Sequence, residues 1–152
     1  MSLRPATDGV VSLRPPGPGD AALLIAGRDE TFHRWLGPGA TEPQPTACIV
    51  VDGAVVGWVD FDRDVDHDWL GPGEVNVGYN VFAAHRRRGY ASRAVVLLLE
   101  RLAEDTDHRT ATLLIDPGNE ASLALAARLD FIPGGEVNGQ RRFERPIGPP
   151  PP

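Results

Sequence analysis

The segment His85-Arg86-Arg87-Arg88-Gly89-Tyr90-Ala91-Ser92 carries the densest chemistry in the chain. It joins a strand-like run, residues 75–82, to a helix-like run, residues 91–102, through a turn suited to an anion. Amides that open a helix have no intrahelical acceptor, point the same way and sit at the positive end of the helix dipole. Gly89 lets the backbone come close to a ligand, and Ala91 and Ser92 are too small to block it. Guanidinium groups beside such a turn are planar forks that match phosphate oxygens. The chemistry is therefore the holding of a phosphate-bearing small molecule, and the plain alternative is a solvated helix start.

The elements that must position this turn read as an alternation of strands and helices. Residues 10–14 are strand-like and end in the Pro/Gly-rich stretch 15–19, after which Asp20 can cap a helix from Ala21. A second short helix covers 29–36, and Gly37-Pro38-Gly39 with Pro43-Gln44-Pro45 marks a loop. Strands 47–51 and 54–61 flank Asp52-Gly53, a strong hairpin signal. After an acidic loop and strand 75–82, Ala91, Ala94, Val95, Leu98 and Leu102 repeat at three and four, which gives a helix one buried face. Strand 110–115, helix 121–129 and a closing hairpin, 131–137 with 140–145 around Asn138-Gly139, complete the order β-α-α-β-β-β-α-β-α-β-β. Residues 1–9 read as an N-terminal extension, 10–145 as one α/β domain, and 146–152 as a proline-rich tail expected to be disordered.

Bulk properties limit what such a domain does. At 152 residues and 16.3 kDa the chain has the size of one domain with one core. No apolar run approaches the ~20 residues needed to span a bilayer, so no membrane role is expected. The first residues lack the apolar stretch of a secretory signal, and the single cysteine, Cys48, has no partner for an internal disulfide. A reducing cytoplasm is the expected location. A net charge of −6 argues against general nucleic-acid binding, because the arginine triplet is a local island. All 15 basic residues are arginine, so the chain offers no side-chain ammonium.

The spacing Arg86-x-x-Gly89-x-Ala91 is similar to the Gln/Arg-x-x-Gly-x-Gly/Ala pattern of the GNAT superfamily of acetyl-coenzyme A dependent N-acetyltransferases. The element order resembles the GNAT fold from Ser12 to about Arg145: a mixed, mostly antiparallel sheet flanked by helices. Asn119-Glu120-Ala121-Ser122 running to Leu129-Asp130-Phe131 resembles the family's Asn-x-x-Ser/Ala helix that ends in Leu-Gly-Phe, with Asp130 in place of glycine. Asp29 to Leu36 resembles the Asp-x-x-x-x-x-Trp-Leu segment of the ribosomal-protein N-terminal (Rim) type. The resemblance implies an acetyl-coenzyme A site. In it, Arg86, Arg87, Arg88, Gly89, Tyr90, Ala91 and Ser92 hold the pyrophosphate, and Tyr79, Asn80, Val81 and Asn119 contact the coenzyme's arm. Asn119 reads equally as a plain helix N-cap, and the two roles are compatible.

Acetyl transfer to an amine needs a neutral nitrogen, a stabilised carbonyl oxygen and a proton for the thiolate. Relatives often carry glutamate at the position of Asn76; here the base is Glu74, Asp60 or Asp62, or is absent. Many relatives protonate the thiolate with a tyrosine in the helix after Asn119, where this chain has Ala126. The Rim-type resemblance assigns that role to Ser122, directly or through water, and the wider family resemblance implies carbonyl stabilisation by backbone N–H groups near Val81.

Asp60, Asp62, Asp64, Asp66 and Asp68 recur at every second position and would steer a cationic acceptor, or form a solvated loop. A calcium loop is disfavoured, since no register has glycine at its sixth position and glutamate at its twelfth. The four histidines lack metal-ligand spacing, and no metal is expected. The expected partners are acetyl-coenzyme A and an amine acceptor, with the chain a monomer or homodimer. The rival class is a catalytically silent acyl-coenzyme A sensor, and a third reading, nucleic-acid contact through 86–88, conflicts with the acidic remainder.

Overall fold

The computed structural model describes residues 3–63 and 68–148. They fall into two compact units, Met1–Asp60 with Tyr79–Leu98, and Phe61–Gly78 with Leu99–Pro152.

The first unit begins with β1 (Ala6–Thr7) and β2 (Val11–Arg14), paired antiparallel with Ala6 opposite Leu13. Strand β2 alternates inward Val11 and Leu13 with half-exposed Ser12 and Arg14, the period-two pattern of a strand with one buried face. Strand β3 (Ala47–Val51) pairs with β2 and with β4 (Ala54–Asp62), both antiparallel. The β3–β4 turn places Asp52 at φ 50° and Gly53 at φ 78°, the two positive angles that an Asp-Gly hairpin supplies. Helices α1 (Asp20–Ala26) and α2 (Glu30–Leu36) bury Leu24 and Phe32. Leu13, Leu24, Ile49, Val56, Val59 and Val95 are almost fully buried, each removal from water contributing about 1.5–3 kcal/mol. Arg14 and Asp20 form an ion pair of 2.6 Å that fixes the entry to α1. Arg14, helped by the Gly17 amide, holds the Asp20 carboxyl at about 2.

The second unit contains the start of β5 (Glu74–Val81), then β6 (Thr110–Ile115), α4 (Glu120–Arg128), β7 (Ile132–Val137) and β8 (Gln140–Pro146). Strands β5 and β6 are parallel, with Glu74 opposite Thr110 and Asn76 opposite Thr112. The β6–β8 and β7–β8 pairs are antiparallel, and Asn138 at φ 49° with Gly139 at φ 85° closes the β7–β8 hairpin. Val75, Leu102, Ala111, Leu113, Leu125 and Ala126 are buried in this unit. The chain is thus of the mixed α/β class, with mostly antiparallel strand pairing and flanking helices.

Several boundaries differ from the sequence expectations. Residues 3–9 are no loose extension: Ala6–Thr7 pairs with β2, Leu3 is buried, and Asp8 meets Arg93 at 3.0 Å. Helix α3 (Tyr90–Asp105) begins at Tyr90 and continues three residues past Leu102. Its apolar stripe at Ala94, Val95, Leu98 and Leu102 is buried, as the spacing predicts. At the C-terminal end, Pro146 belongs to β8 and the Ile147 amide donates to the Arg109 carbonyl at 2.8 Å, so the expected tail is shorter; residues 149–152 lie outside the described residues.

Candidate active site

After β5 the chain makes a short 3-10 turn, Ala83–His85, and passes through an extended Arg86. It then enters two left-handed positions, Arg87 at φ 65° and Gly89 at φ 79°. The Arg93 amide donates to the Gly89 carbonyl at 3.1 Å, the first turn of α3, so the amides of Tyr90 and Ala91 precede any intrahelical acceptor. A left-handed non-glycine residue costs on the order of 1 kcal/mol, and such strain concentrates where the backbone serves a ligand. No atom lies within 4 Å of where a Cβ on Gly89 would stand. Arg87, Arg88 and Gly89 are exposed, and the two guanidiniums have no hydrogen-bond or ion-pair partner among the described residues.

Arg86 is different. Its Nη1 and Nη2 donate to the two Asp29 oxygens at 2.6 and 2.9 Å, and its Nε donates to the Val81 carbonyl at 2.8 Å. Asp29 is also the N-cap of α2, accepting from the Phe32 amide at 2.9 Å. Arg86 chiefly, with that amide, holds the Asp29 carboxyl at about 2, a stable anion at every physiological pH. The two segments singled out in the sequence, Asp29 to Leu36 and the arginine turn, therefore meet in one bidentate pair.

The end of β5 is held closely. A Cβ on Gly57 would overlap the Asn80 carbonyl oxygen and stand 2.9 Å from the Val81 Cα, so glycine is required there. The Phe82 amide donates to the Val56 carbonyl at 2.8 Å, which removes it as a free donor near Val81. Asn80 is 7% exposed; its Oδ1 lies 3.5 Å from Arg86 Nη2, and its Nδ2 has no acceptor among the described residues. A buried amide nitrogen left without an acceptor costs about 1–3 kcal/mol, so Asn80 is a donor awaiting one. Cys48 is fully buried, and burial pushes its thiol up to about 11, which leaves no thiolate nucleophile at neutral pH.

In the second unit Glu74, the expected candidate base, is held by neighbouring groups. Its Oε2 accepts from Arg142 at 2.7 Å and its Oε1 from the Gly71 amide at 2.7 Å, while Arg142 also donates to Glu144 at 2.9 Å. Both Glu74 oxygens are thus engaged within the unit, one by a guanidinium and one by a backbone amide. Asn76 faces Thr112, whose Oγ1 lies 3.2 Å from the Asn76 oxygen and 3.1 Å from the Val75 carbonyl. Of the other carboxylates, Asp60 in the first unit accepts from the Thr46 amide at 2.9 Å and from its hydroxyl. Asp64 and Asp66 lie outside the described residues, so the acidic comb is not seen as a whole.

Asn119 caps α4, its Oδ1 accepting from the Ser122 amide at 3.3 Å. Asp116 supports it: its Oδ1 accepts from the Gly118 amide at 2.8 Å and its carbonyl from the Asn119 amide at 2.9 Å. Ser122 is half-buried in the first turn, and Ala126, where a tyrosine was sought, is buried. The helix ends with Asp130 at φ 62°, where the Asp130 and Phe131 amides reach back to the Ala127 and Ala126 carbonyls at 3.2 and 2.9 Å. Aspartate thus takes the left-handed position that glycine usually fills in such a cap.

Sequence reasoning missed Arg142, Thr112 and Gly57. Only Gly57 carries a signal, a glycine inside a strand, which marks close backbone approach.

Comparison with known proteins agrees with this architecture. No curated protein shows significant sequence similarity to the chain. Among solved structures, an acetyltransferase from Agrobacterium tumefaciens str. C58 superposes with a TM-score of 0.75 at 17% identity, covering 95% of each chain. Mycobacterium smegmatis RimJ, solved with CoA-disulfide, gives 0.72 at 21% identity over 96% of this chain and 86% of its own. The microcin C7 self-immunity acetyltransferase MccE, solved with acetyl-CoA and AMP, gives 0.75 at 19% over 96% and 99%. At these identities the likeness shows the fold, Rim-type proteins included. The family profile of the acetyltransferase (GNAT) domain matches residues 11–132, from β2 through the phosphate-type turn and α4 to the first residue of β7, and on that match the chain belongs to the GNAT acetyltransferase family.

Proposed function

We propose that the chain transfers the acetyl group of acetyl-coenzyme A to a primary amine by direct attack in a ternary complex. The observation that carries this reading is the turn at the head of α3, with two left-handed residues and two exposed guanidiniums that have no partner among the described residues. Backbone amides and paired cations of this kind fit a pyrophosphate. Residues 87–92 of the turn receive that group, Tyr79, Asn80 and Val81 line the coenzyme's arm, and the buried Asn80 Nδ2 gains there the acceptor it lacks. Asn119, having spent Oδ1 on its cap, reaches the arm through its amide nitrogen.

The coenzyme supplies a thioester, whose carbonyl carbon is attacked by the amine nitrogen. Ser122 hands a proton to the departing sulfur, directly or through water, and the proton lost by the amine restores the balance. With Glu74 committed to Arg142, the residues described supply no dedicated base from β5, and an acceptor that is partly neutral at working pH suits the site best. A protein or peptide N-terminus, with a pKa of about 8, meets that condition, as do weakly basic small amines. A monomer or homodimer in the cytoplasm is the setting we propose.

The buried Ala126 and the paired Glu74 favour one rival reading, a coenzyme sensor without turnover. Calorimetric titration with acetyl-coenzyme A on the wild type and on Gly89→Trp tests the donor site, since the open space beside Gly89 admits the indole where the anion would sit. Micromolar binding lost in the variant supports the site, and no binding to the wild type sinks both readings. Thiol release with a panel of amines then separates them. An enzyme loses turnover but keeps binding on Ser122→Ala, whereas a sensor releases no thiol at all.

A further inference from the structure

From the Asp29–Arg86 geometry we infer that Arg86, although it is the first residue of the phosphate-type motif, does not contact the coenzyme. It is a positioning residue, clamped by Asp29, that holds the turn from behind. The inference rests on the proposed coenzyme site, and its basis is the accounting of the guanidinium's donors. Two N–H groups go to the two Asp29 oxygens at 2.6 and 2.9 Å and Nε goes to the Val81 carbonyl at 2.8 Å, while Nη2 also faces the Asn80 oxygen at 3.5 Å. A planar fork satisfied in this way has its hydrogen-bonding edge turned toward Asp29 and β5.

Three backbone points are tied by this one side chain. They are the N-cap of α2 at Asp29, the last residue of β5 at Val81, and position 86 immediately before the left-handed Arg87. The turn's unusual backbone is thereby fixed at its root, while Arg87 and Arg88 stay exposed. Asp29 also cancels the charge of Arg86, so the triplet presents two net positive charges to an anion rather than three. Strain at Arg87 persists only if the surroundings over-determine it, and the bidentate pair supplies that constraint.

The sign of one substitution separates a positioning residue from a phosphate ligand. Asn caps helices as well as Asp, so Asp29→Asn keeps the α2 cap while removing the charge and one of the two oxygens that Arg86 grips. If Arg86 were a phosphate ligand, freeing it from its counter-ion would raise affinity for coenzyme A. As a clamp, it predicts the reverse. We expect Asp29→Asn and Arg86→Gln each to weaken coenzyme A binding about tenfold by calorimetry, the double variant to be no worse than either single one, and Arg86→Lys not to restore affinity. The salt dependence of binding should keep its wild-type slope in Arg86→Gln and flatten in Arg88→Gln. Tighter binding in Asp29→Asn, or a flattened slope in Arg86→Gln, overturns the inference. Should the wild type bind no coenzyme A, the proposed function fails, and the clamp is then judged by amide hydrogen exchange. Faster exchange at 87–89 in both single variants upholds it, and unchanged exchange refutes it.

Discussion

Helices α3 and α4 start in opposite ways. At α4 the chain answers its own needs: Asn119 caps the Ser122 amide, and Asp116 takes the amides of Gly118 and Asn119. At α3 the chain spends a left-handed arginine and a left-handed glycine to present its first amides outward, and leaves two guanidiniums beside them without partners among the described residues. Both are ordinary helix N-termini with the same dipole. On the proposed reading the pyrophosphate goes to the one whose donors are left over, so satisfied geometry, more than sequence motif, would tell a cap from a cradle.

The contrast can be broken most strongly at α3. Arg87→Glu with Arg88→Glu should lower coenzyme A affinity about 100-fold, on the order of 2.7 kcal/mol, while leaving the thermal midpoint nearly unchanged. Calorimetry and a melting curve on the same sample check both halves, and a large fall in the midpoint would erase the distinction. At α4 the effect should fall first on the fold, with a smaller loss of coenzyme affinity from the proposed arm contact of Asn119. Asn119→Ala should cost about 1 kcal/mol of stability, a midpoint shift of about 2–4 °C, as read by urea and thermal unfolding.

Smaller still, Asp130→Gly should stabilise by about 0.5 kcal/mol, because relief of the left-handed strain outweighs the extra freedom glycine brings to the unfolded chain. Urea midpoints with an unchanged slope would confirm it.

At the starts of α1 and α2 the contrast is sharpened by a change of pH. Asp29 and Asp20 are held at about 2 in the fold, by Arg86 and Arg14 first, against an ordinary 3.8. Their folded values are depressed, so their contribution is present above about pH 4 and is lost as pH falls toward 2. Unfolding measured at pH 7, 4 and 2.5 should show stability falling between the last two, and Asp29→Asn should flatten part of that fall.

What was legible in the sequence was what local chemistry dictates. Asp52-Gly53 and Asn138-Gly139 turned as positive-φ pairs, and the three-and-four spacing in α3 found the buried face. Arg86-x-x-Gly89 located the turn. What was hidden depends on long-range partners: Glu74 lies 68 residues from Arg142, and Asp29 lies 57 from Arg86. No spacing rule reaches that far, so Glu74 read as an available carboxylate and Arg86 as an available cation. The Asn80 amide is a third case, since its lack of an acceptor exists only once the strand is folded.

Strand β7 has a consequence for handling the protein. It pairs with β8 alone at one end of the strand order, is exposed along most of its length, and carries Ile132 at 60% exposure. Such an edge would ordinarily template the addition of foreign strands. Here Pro133 offers no N–H, the register breaks between Pro133 and Glu136 across Gly134 and Gly135, and Glu136 places a charge beside the break. An incoming strand finds no run of consecutive donors to copy, so concentrated solutions should resist fibril growth from this edge despite the isoleucine at its tip.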